Sequence, residues 1–439
     1  MRNRAALESR QHDSIQAAEE AVDRGSAVRG WRWRNPNPPL PHRHSRAPEE
    51  LVADRLVSVK WAAAAVLFLF FGCPIFLPAP PTDCQYLAPL LPHSASASSP
   101  STPPPPSPLH HCAMGYVATA GVVGGGRPGA ARYVVTVADD AIEGAPEGSL
   151  RWAVANLGGG TAGGGEPQGL YVTFNRSMTI RLKSRLFLAS HTTIDGRGVR
   201  VRLLGNGLVL QNVTSVIIHN IEIGNQHGDH DVLPIRSSQV VWIDHCHVYN
   251  GHRGTVDVVY NSTDVTISNC RIHNHRLTML LGADDSHEYD RNMRVTVYRN
   301  WFEKSGQRQP HCRWGQCHVA NNLYTDWAFY CLGGRVFAKI RSEGNVFRAG
   351  RARKEVTPWF GEASLTTPGF DNTPTILSYG DLLLNGATFH QFEGKEPMFD
   401  PPYRLPLYDA SALMETFLRQ SAGPQYPFKF IRSYFDWDA

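Results

Sequence analysis

The chain has few means of holding itself together covalently. Its eight cysteines in 439 residues (Cys73, Cys84, Cys112, Cys246, Cys270, Cys312, Cys317 and Cys331) are too sparse for a disulfide-held miniprotein. Five fall in the later part, an odd number, so at least one lacks a partner there. Charge is short as well: a formal net charge of +4 is too small to argue for nucleic acid, and none is expected as a partner. Long apolar runs are almost missing. The one exception, Trp61 to Phe71, is too short to span a bilayer, and Gly72 and Pro74 break the stretch immediately after it. Sustained helical periodicity is absent from the later two-thirds, which excludes a helical repeat protein.

The first part of the chain lacks a core. Residues 1 to about 60 are polar and charged and read as disordered. The segment 61–79 resembles the core of a signal peptide, with Arg55 and Lys60 before it and small residues near Ala79. The stretch before it exceeds a usual signal n-region, so a signal anchor, a start downstream of Met1 and an incidental apolar run stay open. Pro78 to His111 is rich in Pro and Ser and reads as an extended linker. The expectation is an extension over 1–113, disordered apart from 61–79, and one ordered domain over 121–439.

What the later part does have is many short β-branched runs. Tyr133–Val137, Leu170–Phe174, Thr192–Gly196 and Val201–Gly205 read as strands, and Ser149–Ala155 as a short helix opened by a Ser cap. Six further runs align on an inner small or polar residue: Ile221, Cys246, Cys270, Asn300, Asn322 and Asn345. The steps between them are 25, 24, 30, 22 and 23 residues. A repeat of that length built only of short strands predicts an all-β parallel β-helix, whose coils stack and whose inward residues form ladders. Asn300, Asn322 and Asn345 suit an amide ladder, and Cys246 and Cys270 suit buried packing. Cys312-x4-Cys317-His318 lacks the second ligand pair a zinc site needs. Gly124–Gly129 lacks the Lys-Ser/Thr of a phosphate loop.

Between Ile223 and Phe347 acidic residues come first and arginines later. With the coil pattern in hand, the ordered motifs TTIDGRGVRV (192–201), VWIDHC (241–246), DVTISNC (264–270), MLLGADDS (279–286) and QRQPHCR (307–313) resemble the pectate lyase family. The resemblance runs from about Gly121 to Ala349, with LLLNGA (382–387) as a last echo. It implies a single right-handed parallel β-helix and calcium-dependent β-elimination of polygalacturonate.

That chemistry removes the proton at C5 of a galacturonate, so the neighbouring carboxylate must be neutralised. A hard cation held by carboxylates does this. The resemblance implies Asp231 and Asp257 as Ca²⁺ ligands with Asp229 beside them, Arg308 as the base, and Arg313 as a substrate-carboxylate binder. Three positions depart from the family pattern. Arg253 stands where an acidic calcium ligand is usual, which predicts weaker calcium binding or a direct role for Arg253 on the substrate. Leu277 stands where a lysine is common, and Arg276 beside it faces the other side of a strand. His311 replaces an arginine and is expected to add pH dependence.

Two other readings stand beside the lyase: a non-catalytic β-helix that binds acidic glycan, motivated by Arg253 and Leu277, and a pectin-acting glycoside hydrolase. The latter needs two opposed carboxylates, for which Asp284-Asp285 is the one adjacent pair in the central block. The substrate implies a cell-wall location, and Asn-x-Ser/Thr at Asn175, Asn212 and Asn261 permits secretion. A monomer is expected.

Overall fold

Each long run found in the sequence breaks into two strands at a corner. VVWIDHCHV becomes Gln239–Asp244 and His247–Tyr249, and DVTISNCRI becomes Thr263–Ser268 and Arg271–His273. The cause is one residue in the left-handed region at each corner: Asn220, His245, Asn269, Arg299, Asn321 and Gly344 have φ of 60, 49, 51, 55, 50 and 62°. Gly and Asn adopt this conformation most readily. The computed structural model describes residues 109–158, 168–228, 230–251, 253–358 and 373–426. The expected extension up to residue 108, the segment 61–79, Asp229 and the last thirteen residues lie outside these.

Among the described residues the strands form three parallel sheets of ten, seven and nine strands. Neighbours within each sheet are successive coils, not successive strands, so the chain winds as a parallel β-helix. Inward positions repeat in register. Val172, Ile194, Ile218, Ile243, Ile267, Val297 and Val319 form one β-branched column, and all are buried. Phe302, Tyr324 and Phe347 stack with centroids 4.9 and 4.6 Å apart. The helix Leu150–Leu157 has the expected cap, Ser149 Oγ accepting from Trp152 N–H. It closes the first coils by burying Leu150, Ala153 and Val154 on the core.

The predicted polar ladder is present. Asn300 Nδ2 donates to Asn322 Oδ1 and Asn322 Nδ2 to Asn345 Oδ1, each at 3.0 Å, and Asn345 Nδ2 donates to Asp381 Oδ1 at 3.0 Å. It begins at the cysteines: Cys246 N–H meets Cys270 Sγ, and Cys270 N–H donates to Asn300 Oδ1. The five later cysteines are all free and buried, and His318 turns away to Glu343 and Tyr403.

Ordered packing starts earlier than Gly121. Leu109, Val117 and Val122 cover Trp242 and Ile217, and the amides of Tyr116, Val117 and Gly125 donate to the outward hydroxyls of Thr296, Thr266 and Thr193. A Cβ on Gly125 would lie 2.1 Å from the Leu170 carbonyl oxygen, so the GGG stretch serves close approach to the sheet. At the other end the helix Ala412–Ser421 packs on Trp301, Leu323 and Val346. Its Glu415 ties down Arg348.

Replacing Asn322 by Leu strands two ladder neighbours whose groups are buried. The expected loss is about 2–4 kcal/mol of unfolding free energy, read as a lower urea midpoint. Asn175→Ala, at an exposed turn, should leave the midpoint unchanged.

Candidate active site

Successive coils bring Pro234, Asp257, Leu280, His311 and Gly333 side by side on the seven-stranded sheet. The turns that lead into these strands hold Asp231, Arg253-Gly254, Arg276-Leu277 and Gln307-Arg308. Residues far apart in sequence therefore line one edge.

Two of the three proposed ligands come together there. Asp231 Oδ1 accepts the Gly254 amide at 3.1 Å, and Asp257 Oδ1 accepts the Leu280 amide at 3.0 Å. A Cβ at position 254 would meet Asp257 Oδ2 at 2.5 Å, which accounts for the glycine in RGTVD. Burial, and then the charge of Asp231, push the Asp257 carboxyl well above the usual carboxylate range, and Arg308 opposes this. Asp231, Asp257 and Arg308 thus lie within electrostatic reach of one another. Asp229 lies outside the described residues.

Arg308 is half-buried, with φ of 62° immediately before the cis Gln309–Pro310 bond. A non-glycine residue in that region costs of order 1 kcal/mol or more and recurs at functional sites. Arg313 is clamped: its Nε donates to Asp285 Oδ1 at 2.7 Å and its Nη1 to the Gly282 carbonyl at 3.3 Å. Arg335, its neighbour in the sheet, donates to Asp285 Oδ2 at 2.5 Å. Asp285 is therefore the counter-ion of two arginines. Asp284 accepts from the Ser286 amide and hydroxyl. Neither is disposed as half of an opposed acid–base pair, which removes the ground for the hydrolase.

His311 behaves differently from the expectation. It is 4% exposed, its Nδ1 lies 2.9 Å from the Tyr330 hydroxyl, and its pKa is held well below the usual value. Burial is the main cause, and Arg313, Arg308 and Arg335 add to it. It stays neutral across the ordinary pH range and supplies no titration there. Arg253 and Arg276 are exposed, and Leu277 is half-buried opposite Gln307.

Sequence reasoning misses Arg236 and Arg335. Arg236 donates to Asp231 Oδ2 at 3.3 Å; nothing in LPIR marks it. Arg335 follows Arg313 by 22 residues, one coil step, and that spacing is a usable signal. Elsewhere, His219, Asp244 and His245 form a buried group with metal-ligating atoms close together. The Asp244 carboxylate already meets both His Nδ1 atoms, the Ser268 hydroxyl and the Asn269 amide. The VWIDHC motif is therefore a satisfied hydrogen-bond knot under the segment from Leu109.

Asp231 and Asp257 fit a hard divalent cation: two convergent carboxylates, each anchored by a backbone amide, whose mutual repulsion such an ion would relieve.

Comparison with known proteins gives one family. The sequence model described as pectate lyase matches residues 107–380. Pectate lyase 1 of Ambrosia artemisiifolia is 34% identical over 340 residues, 72% of this chain and 80% of that protein. The pectate lyase of Zinnia elegans is 38% identical over 320 residues, 65% of this chain and 73% of that one. Among solved structures, the major allergen of cedar pollen has a TM-score of 0.63 at 32% identity, covering 72% of this chain and 94% of that one. A pectate lyase from Bacillus sp. N165, in complex with trigalacturonate, shares the fold with a TM-score of 0.56 at 21% identity, over 71% of this chain and 98% of that one. With its coils, its motifs and these relatives in agreement, the chain belongs to the pectate lyase family of polysaccharide lyases.

Proposed function

We propose that the protein cleaves polygalacturonate, the de-esterified backbone of pectin, by calcium-dependent β-elimination. The observation that carries this reading is the convergence of Asp231, Asp257 and Arg308 on one edge of the seven-stranded sheet. Asp231 and Asp257 would hold the ion, with Asp229 as a third ligand. Bound calcium supplies a hard positive charge that neutralises the uronate carboxylate.

Arg308 is the base in this reading. The C5–H bond breaks and its proton passes to the guanidine nitrogen, the C4=C5 double bond forms, and the glycosidic oxygen leaves C4 with the bonding pair and takes up a proton from water. Guanidinium holds its proton strongly. Arg308 shares the surroundings of His311 with Arg313 and Arg335. Arg313, oriented by Asp285 and the Gly282 carbonyl, keeps its Nη2 for a substrate carboxylate. Arg253, exposed beside the amide that Asp231 binds, is a second carboxylate binder and weakens calcium affinity by repulsion.

Arg253 and Leu277 also favour a second reading, a β-helix that binds acidic glycan with little turnover. For location, we propose secretion to the cell wall and action as a monomer. Asn175, Asn212 and Asn261 are all exposed, and no helix among the described residues is long and apolar enough to cross a membrane.

The deciding assay follows ultraviolet absorbance of the unsaturated product from polygalacturonate with calcium. Product is expected, abolished by chelator and lowered about 10²–10⁴-fold by Arg308→Ala. Retained binding without product selects the second reading, and reducing ends without unsaturation contradict both. Restoring the acid with Arg253→Asp should tighten calcium binding, measured by calorimetry; unchanged affinity contradicts the role given to position 253.

The pH dependence has a definite sign. A raised Asp257 pKa means that the carboxylate pair keeps a proton to higher pH, and this proton competes with calcium. Calcium affinity should therefore rise as the pH is raised above the usual carboxylate range, with proton release on binding. Asp257→Asn should remove the released proton, and a pH-independent affinity in the unmodified protein contradicts the coupling.

A further inference from the structure

We propose that the first coils carry a second carboxylate-binding site, distinct from the cleavage site, that holds the continuing chain of the same polygalacturonate. It is a depression of about 330 Å³ lined by Arg181, Lys183 and Arg202, with Thr179, Leu204, Ala138, Asp139 and Asp140. The inference rests on the lyase reading for the identity of its ligand, not for the site's existence.

The depression lies at a corner. Arg181 ends the strand Met178–Arg181, and Arg202 and Leu204 belong to the adjacent strand Val201–Gly205 of the nine-stranded sheet. Lys183 sits in the turn that leads from there to Leu186–Leu188, at one end of the seven-stranded sheet. Its cations are not consumed by the fold. Arg181 is exposed and makes no ion pair among the described residues. Lys183 reaches Asp139 only at 3.5 Å, with both side chains more than half exposed, a contact worth little. Arg202 lies 3.5 Å from Glu222, and its buried Nε has no hydrogen-bond partner. Glu222 is already engaged by Arg200 at 2.7 Å and by the Tyr426 hydroxyl at 2.6 Å. Asp140 is turned to Arg151, which grips both its oxygens at 2.8 Å. Asp140 and Glu222 thus have other partners, and Asp139 alone faces the three cations, so the depression keeps a net positive charge.

The wider charge distribution agrees. From Arg127 to Arg202 there are ten arginines and lysines and six acids. Residues 203–439, by contrast, carry slightly more acids than bases, so the first coils are the basic part of the solenoid.

The ligand class is set by the neighbouring turns. Asn206 Nδ2 donates to the Leu182 carbonyl, and Asn206 Oδ1 lies 3.2 Å from His230 Nε2. The turns holding Lys183, Asn206 and Asp231 are therefore consecutive along one edge. At about 4.8 Å per coil, the depression begins about 10 Å from the Asp231–Asp257 pair. A polymer with one carboxylate on every sugar, extending from the cleavage site along this edge, meets these cations in turn. A short substrate filling only the cleavage site does not reach them.

The test uses Arg181→Ala/Lys183→Ala in the full chain, with the thermal midpoint confirming the fold. Retention on immobilised polygalacturonate is measured with chelator present, so that turnover plays no part. The variant should bind about fivefold more weakly, as expected for two exposed ion pairs, and with a shallower salt dependence. Its turnover of trigalacturonate with calcium should be unchanged, while its KM for polygalacturonate rises. Unchanged retention overturns the proposal, as does equal retention of the unmodified protein on highly methyl-esterified pectin. Retention that depends on Arg181 and Lys183 without any unsaturated product would support this site while refuting the lyase reading.

Discussion

In this protein every inward group must be satisfied by its equivalent one coil away. The strands of one coil do not pair with each other; they pair with the coils before and after. Apolar columns therefore run the length of the core, and polar groups at the corners need partners along the same axis. The Asn300–Asn322–Asn345 ladder meets that need and ends on Asp381. A slip in one coil would break the column on both sides, so register is fixed by burial and hydrogen bonding together.

The same register builds the site. Asp231 and Arg308 approach Asp257 because they lie in turns that lead into strands of the sheet that bears it, and backbone amides of the next coil hold both carboxylates. The electrostatics are finely opposed. Two acids that repel each other are faced by Arg236 and Arg308, with Arg313 and Arg335 tied to Asp285 beyond. A neutral, buried His311 keeps a further positive charge out of the arginine group. Under the proposed function such a site would take a divalent cation and a polyanion together in preference to either alone, since each would offset the charge that opposes the other.

Much of the fold is legible in the sequence, because a coil repeat shows as spacing. The positions of Ile221, Cys246, Cys270, Asn300, Asn322 and Asn345 reveal the stack. What stays hidden is the third sheet. Strands such as Leu280–Leu281 and Gly333–Arg335 are too short to carry a period-2 pattern, and the sheet they belong to is the one that bears Asp257. The corners inside each run are hidden for a related reason: a single left-handed residue leaves no mark in hydrophobicity. For the site, motif spacing indicates Asp231, Asp257, Arg308 and Arg313. It does not indicate Arg236, whose role depends on which face of a strand meets which turn, nor the burial that keeps His311 neutral.

The central claim is that a calcium ion sits between Asp231 and Asp257 and bridges to a uronate carboxylate. Anomalous diffraction from crystals of Arg308→Ala soaked with calcium and trigalacturonate tests it most directly. The account predicts a calcium peak contacting Asp231, Asp257 and a sugar carboxylate at about 2.3–2.6 Å. A sugar carboxylate held by Arg236 or Arg253, with no calcium peak between the two aspartates, would contradict it.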